Sequence, residues 1–199
     1  KIRPKRQLQP LSLLQRGALV QRSVEAIVAN NGFHYLGLAR WKELFPEARC
    51  FAALGAIARI EKKSTRPLPQ IEPLSALEPL LGDDVAVVET ASSKCGETWA
   101  RAKIAGGYAW YASDILINLE TMPPNFLFRL LFKLTKSAPG YRVFGLAARF
   151  ILKDRRATFR AMLADIEAHP PTIMVPAHGA IVSRESCASE TAAMVQAAV

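Results

Sequence analysis

Apolar positions near the start of the chain change from one spacing to another, and the change predicts a β–α–β unit. VEAIVAN (24–30) and ARCFAAL (48–54) are short apolar runs of the kind found in buried strands. Between them, GLARWKELFPEA places Leu38, Trp41 and Leu44 at helical intervals. A helix that joins two strands in this way favours parallel pairing of the strands.

Later patterns predict antiparallel strands and then helices. DVAVVET (84–90) is typical of a buried strand, and Gly106-Gly107 between two β-prone runs indicates a hairpin. Residues rich in Pro, Lys and Glu over 61–81 predict a loop with short elements. The remaining predicted elements are helices over 125–134, 155–168 and 186–199 and a strand over 173–175.

This order of elements favours a layered α/β sandwich with helices outside. The 199 residues suit a single domain, and a composition of 50% hydrophobic and 22% charged residues is that of a globular protein. No apolar run reaches the ~18 residues of a spanning helix. We therefore expect a basic N-terminal arm over residues 1–22 and one domain over 23–199.

Positive charge is concentrated in two stretches, although the net charge is +9. Residues 1–22 hold six basic residues and no acid, and residues 126–160 hold nine basic residues and one acid. Such stretches attract anions, whether an acidic substrate, lipid headgroups or nucleic acid, or they form a solvated face. No nucleic-acid-binding motif accompanies them, so specific nucleic-acid binding is not expected.

The three cysteines are widely spaced and form no CxxC motif. This spacing argues against a disulfide framework and against a cysteine zinc site. A reducing cytoplasm is therefore the expected compartment.

Four potential metal ligands follow predicted strands. His34 precedes the first helix, Glu97 lies between two strands, Asp114 ends the hairpin, and His178 follows the last strand in IMVPAHGAIV. If these strand ends converge, two imidazoles and two carboxylates suit one divalent metal, with zinc first and iron or manganese as alternatives. Each residue also has a structural alternative, such as an ion pair of Glu97 with a neighbouring base or a turn capped by Asp114.

These segments, His34 with the following GLA, YASDILIN and VPAHG, resemble the metallo-β-lactamase fold superfamily over about residues 24–185. The resemblance implies a four-layer αββα sandwich and a metal-dependent hydrolase acting on an ester, thioester, amide or phosphodiester. It implies that His34, Asp114 and His178 hold the metal. Glu97 stands where the family has a histidine, so the resemblance implies that Glu97 is a fourth ligand or a general base. It also implies that Asp114 and Glu97 are the catalytic carboxylates.

The sequence departs from the family in its first motif. Asn30 and Asn31 stand roughly where the family has paired histidines, and Phe33 replaces its aspartate. Amide oxygen is a poor zinc ligand beside imidazole. The family's first strands are not recognisable in residues 1–23. We therefore expect at most a one-metal site and a small-molecule substrate, with or without an anionic group. The alternative is a non-catalytic binding or scaffold protein that kept the fold and lost the metals.

The segment NFLFRLLFKLTK is unusually apolar for a helix. Arg129 and Lys133 share one face because they lie four residues apart. Its composition predicts that most of the helix is buried. Plain core, a lid over the site, a homodimer interface and a membrane-surface helix all remain open at this point.

Overall fold

A computed structural model describes residues 24–90 and 92–199, so the predicted arm over residues 1–22 lies outside the described residues. The described residues form three sheets flanked by helices, which confirms a mixed α/β fold consistent with the predicted sandwich. Among the described residues, no helix is long and apolar enough to cross a membrane.

The first sheet is the predicted β–α–β unit with one added strand. All of its strands run parallel, and α1 (Leu38–Leu44) connects the first two. The strands are β1 (Ala26–Ala29), β2 (Arg49–Ala52) and β3 (Ile71–Pro73), followed by 3-10 turns over Leu74–Ala76 and Glu78–Leu80.

A second helix, α2 (Leu54–Lys63), follows β2; the sequence predicted a strand as far as residue 54 and a loop from residue 61, with no element between them. Ala56 and Ile60, four residues apart, are its buried residues, and its last turn is charged through Glu61, Lys62 and Lys63. A side chain at Gly96, whose φ is +65°, would meet the backbone nitrogen of Ala56 at 2.5 Å. The helix therefore begins against a backbone that only glycine permits.

The largest sheet has five strands in the order β11-β9-β6-β5-β4. The predicted hairpin pairs β5 with β6 in antiparallel fashion, while β6 and β9 are parallel. The turn of the hairpin contains Gly106, whose φ of +84° favours glycine. The strands are β4 (Val85–Glu89), β5 (Thr98–Ile104), β6 (Gly107–Tyr111), β9 (Pro171–Val175) and β11 (Val182–Ser183).

The third sheet orders its strands β10-β7-β8 and carries one end of the candidate site. Its strands are β7 (Leu116–Leu119), β8 (Gly140–Val143) and β10 (His178–Gly179). A side chain at Gly179, where φ is +105°, would meet the Asn118 carbonyl oxygen at 1.7 Å. This close approach lets β10 pair with β7 and fixes the backbone of His178.

The main core lies between the five-stranded sheet and the C-terminal helices. Trp99 and Trp110 of the sheet are almost fully buried, as are Phe159 and Met162 of the helix α5. Aromatic side chains of this size contribute most of the apolar area that stabilises a domain. The helices on this side are α4 (Gly145–Ile151), α5 (Arg155–Ala168) and α6 (Cys187–Gln196).

The apolar segment forms the helix α3 (Phe126–Leu134), but its expected burial is wrong. Phe132 is the one buried residue of this helix. Asn125 caps its start by accepting hydrogen bonds from the backbone of Leu127 and Phe128. The side chains with substantial exposure are Phe126 (74%), Leu127 (72%), Phe128 (56%), Leu130 (44%), Leu131 (37%) and Leu134 (68%).

Candidate metal centre

His34, Asp114 and His178 meet where three separate strand ends converge. His34 lies between β1 and α1, Asp114 lies between β6 and β7, and His178 begins β10. One ligand atom from each side chain lies within 4.8 Å of the other two. The centroids of the two imidazole rings are 5.7 Å apart. We call these three residues the candidate metal cluster.

Asn31 organises the loop that carries His34. Its side-chain oxygen accepts hydrogen bonds from the backbone nitrogens of Phe33 (2.8 Å) and His34 (3.0 Å), which closes a tight turn after β1. Its side-chain nitrogen donates to Asp114 Oδ2 at 2.9 Å and to Glu97 Oε2 at 2.8 Å. Asn31 is fully buried, so one amide fixes both the histidine loop and two carboxylates.

The other oxygen of Asp114 faces the two imidazoles. Asp114 Oδ1 lies 2.9 Å from His178 Nε2 and 3.4 Å from His34 Nε2. It is a buried atom with no aligned hydrogen bond from any described residue, although His178 Nε2 lies at hydrogen-bonding distance from it and lowers the pKa of the carboxyl. A buried carboxylate oxygen without an aligned donor is costly unless another positive group satisfies it.

The charges of the cluster depend on one another. Burial favours the neutral form of Asp114, but the adjacent His178 and His34 rings outweigh it and hold the pKa of this carboxyl below its usual range. Contact with the Asp114 carboxylate raises the pKa of the His178 imidazole. Asp114 is therefore ionised at neutral pH and presents a negative oxygen between the two rings.

Glu97 lies beside the cluster but outside the group of converging ligand atoms. Its Oε1 accepts a hydrogen bond from the Asp114 backbone nitrogen at 2.8 Å, and its Oε2 accepts the one from Asn31. Glu97 is fully buried, and burial raises the pKa of its carboxyl to about 7. Among the described contacts, it pairs with neither Lys94 nor Arg101, the basic neighbours that the sequence offered.

The cluster opens to solvent on the His178 side. The His178 side chain is 46% exposed, whereas that of Asp114 is only 10% exposed. The Phe144 ring packs edge-on against His178, with the ring centroids 6.0 Å apart. A ligand can therefore approach the cluster past His178, along a wall that is partly apolar.

Ser113 completes the site and was not predicted from the sequence, and neither was the hydrogen bonding of Asn30 and Asn31. Ser113 Oγ accepts hydrogen bonds from the side-chain nitrogens of Asn30 and Asn31, the second at 3.3 Å. Ser113 has a φ of +48°, which is uncommon for a residue other than glycine and typical of functional loops. The available signal was the Asn-Asn pair directly after a strand, which the sequence analysis treated only as missing ligands.

The donor atoms fit a divalent metal. Ligands at the ~2.0–2.2 Å typical of zinc have donor atoms about 3–4 Å apart, close to the 2.9 and 3.4 Å seen around Asp114 Oδ1. Two imidazoles and one carboxylate are a ligand set used by zinc and also by non-haem iron. The unpartnered Asp114 oxygen is the atom that a cation at this point would satisfy.

Comparison with known proteins gives little more. No protein-family model matches the chain, and no curated protein matches it. Among solved structures, it is similar to a metallo-β-lactamase from Pontibacter korlensis, with 11% sequence identity and a TM-score of 0.43 over 92% of this chain and 74% of that one. This likeness is too weak to decide family or function, so the function has to be inferred from the site.

Proposed function

We propose that this protein is a metal-dependent hydrolase with a single divalent ion bound by His34, Asp114 and His178. The observation that supports it is the buried Asp114 Oδ1, which lies between two imidazole nitrogens and accepts no aligned hydrogen bond within the described chain. Zinc is the first candidate, with iron or manganese as alternatives. The resemblance found in the sequence supports the same class of reaction.

A divalent ion held by His34, Asp114 and His178 would supply Lewis-acid chemistry, polarising a substrate carbonyl or phosphoryl oxygen and lowering the pKa of a bound water to ~7. The protein's part is to present two neutral imidazoles and one ionised carboxylate. Binding through Nε2 requires the proton of His34 to reside on Nδ1. Asn30, whose amide lies 3.2 Å from that atom, must then turn its oxygen toward it as an acceptor.

Glu97 and Asn31 act on the reaction through Asp114. Together they hold the Asp114 backbone and its Oδ2, so that Oδ1 faces the imidazoles. We assign Asp114 as the catalytic carboxylate and Glu97 as a positioning residue. The sequence-based role of Glu97 as a ligand or general base stays a prediction; a pKa of about 7 suits proton exchange, but both of its oxygens already accept hydrogen bonds.

The substrate is proposed to be a small molecule with an ester, thioester, amide or phosphodiester bond. The basic residues over 126–160 support an anionic group on it. The half-exposed His178 and the Phe144 ring give the entrance both polar and apolar contacts.

The test compares chelator-treated protein with protein reloaded with Zn²⁺, Fe²⁺ or Mn²⁺. Hydrolysis of model esters, thioesters and phosphodiesters is measured for the wild type, Asp114→Ala and the matched control Asp165→Ala. We expect hydrolytic activity to return when metal is added back to the wild type and to Asp165→Ala, but not when it is added to Asp114→Ala. Metal-independent turnover, or full activity of Asp114→Ala, contradicts it, and no bound metal together with no turnover favours the binding or scaffold alternative.

A further inference from the structure

The helix α3 presents an apolar surface that the rest of the described chain (residues 24–90 and 92–199) leaves exposed. Successive residues turn by 100° around a helix, so Leu127, Leu131 and Leu134 form one stripe and Leu130 lies beside it. Phe132 points to the opposite side and packs against Phe144, with the ring centroids 5.5 Å apart. The buried side of α3 is thus one aromatic ring wide, and the leucine stripe faces outward.

Cations lie along one flank of the exposed apolar surface. At 100° per residue, Lys133 lies next to the exposed Phe126, and Arg129 lies beyond Lys133, on the side away from Leu127. Arg129 and Lys133 are exposed on α3, and Lys136 is exposed directly after it. From residue 121 to residue 153 the sequence contains six basic residues and no acidic one. An exposed apolar surface with a cationic flank is complementary to a surface that is apolar inside and anionic at its rim.

Charge also decides between the possible occupants. A second copy of this chain meeting α3 in a symmetric dimer would bring Arg129 and Lys133 against the same residues of its partner. The N-terminal segment over residues 1–22 is itself basic, with no acid. Both would add like charges at the rim of the stripe, whereas anionic phospholipid headgroups neutralise it.

We propose that α3 docks this protein on an anionic phospholipid membrane, with the exposed face from Phe126 to Leu127 below the headgroups and its cationic flank, Lys133 and Arg129, among them. A helix of nine residues is too short to span a bilayer, so it would lie in the plane of the membrane–water interface. The chain of rings from Phe132 to Phe144 to His178 places the docking helix beside the candidate metal cluster. Docking needs neither a bound metal nor turnover, so it stands or falls separately from the proposed function.

The test is co-sedimentation of the full chain with vesicles of equimolar phosphatidylcholine and phosphatidylserine. We expect binding that weakens at high salt and is at least about tenfold weaker on phosphatidylcholine alone. Leu127→Ser/Leu134→Ser and Arg129→Gln/Lys133→Gln should each weaken binding at least about tenfold. The matched control is Leu54→Ser on α2, where the side chain is 69% exposed, and it should bind like the wild type.

Three results would overturn the proposal. The first is no binding to the anionic vesicles, and the second is binding that both α3 double variants retain. The third is a dimeric mass in solution that Leu127→Ser/Leu134→Ser abolishes, because α3 would then be an interface between copies. Should the double variants fail to fold, Leu127→Trp provides an independent readout: its fluorescence should shift to the blue with anionic vesicles, while Leu54→Trp should not respond.

Discussion

Two aspartate–histidine pairs in this protein have the same closest distance but different surroundings. In the candidate metal cluster, Asp114 Oδ1 and His178 Nε2 are 2.9 Å apart. At the end of α5, Asp165 Oδ1 and His169 Nδ1 are also 2.9 Å apart. The second pair is hydrogen-bonded, whereas Asp114 Oδ1 has no aligned hydrogen bond from any described residue.

The difference lies in what else reaches each carboxylate. Asp165 receives a hydrogen bond from Trp99 Nε1 at 2.8 Å and lies 3.4 Å from Arg101 Nε, so its charge is already balanced. Its histidine ends a helix and packs edge-on against Tyr108. Asp114 has no arginine or lysine ion-pair partner in the described chain. An aspartate and a histidine therefore form a structural contact at the end of α5, whereas in the cluster they form part of a candidate metal site.

The largest expected difference between the two regions is in metal binding. Asp114→Ala should lower the affinity for Zn²⁺ by more than the about 10–100-fold that loss of an outer-shell partner costs. Asp165→Ala should leave the affinity unchanged and instead destabilise the fold by about 1–3 kcal/mol, because it leaves Trp99 and Arg101 unpaired. Titration with a competing chelator and urea unfolding measure the two effects, and equal metal affinities would contradict the contrast.

The two histidines should separate in the same way. His178→Ala removes a ligand from a half-exposed position. The metal content should therefore fall, while the free energy of unfolding should change by about 1 kcal/mol or less. His169→Ala should leave the metal content unchanged and lower the free energy of unfolding by about 1 kcal/mol or more, because it removes contacts with Asp165 and Tyr108. A His178→Ala protein that unfolds with unchanged metal content would show that His178 is structural.

Asn31→Ala should weaken Zn²⁺ binding by about 10–100-fold without removing a ligand. The substitution frees Asp114 Oδ2 and Glu97 Oε2 and removes the acceptor that closes the His34 turn. Asn125→Ala is the control, because that asparagine also organises a turn through its side chain but does so at the start of α3. Equal Zn²⁺ affinities of the two variants would exclude the positioning role of Asn31.

The smallest expected effect is a pH dependence of the metal-free protein. Asp114 raises the pKa of His178 above the unfolded value of about 6.5, so this contribution to stability is complete below that pH and is lost as pH rises through the folded value. The lowered pKa of Asp114 acts oppositely: its contribution is present above about pH 3.9 and is lost as pH falls through the folded value.

Urea unfolding of the chelator-treated protein between about pH 6 and 8 measures the pH-dependent contribution of His178 to stability. The free energy of unfolding should decline with pH in the wild type more steeply than in His178→Ala. Identical slopes would show that the Asp114–His178 contact has no electrostatic effect on folding. Reloaded protein should behave differently, because metal binds the deprotonated imidazole and gains affinity as pH rises.

Strand periodicity was enough to predict much of the fold and the meeting of His34, Asp114 and His178. Each follows a strand whose apolar run can be recognised locally. Asp114 and His178 follow β6 and β9, which are parallel neighbours in the five-stranded sheet, whereas His34 follows β1 of the first sheet. The helix α2 was missed because the small apolar residues of β2 continue into it without a break. Periodicity alone does not distinguish such a run from a longer strand.

The other features that the sequence did not predict depend on contacts between residues distant in the chain. Asn31 meets Glu97 and Asp114, which lie 66 and 83 positions away, so its role as the donor to both carboxylates is not legible in the sequence. The composition of α3 predicted a helix but not its exposure. Burial depends on what the rest of the chain brings to it, and here that is Phe144 against Phe132.

The central claim is that His34, Asp114 and His178 hold one metal ion, and elemental analysis tests it most directly. The full chain should be purified without chelator, alongside Asp114→Ala and Asp165→Ala. We predict about one equivalent of zinc, iron or manganese per chain in the wild type and Asp165→Ala, and little in Asp114→Ala. Less than about 0.1 equivalent in the wild type, or equal content in all three proteins, would contradict the claim.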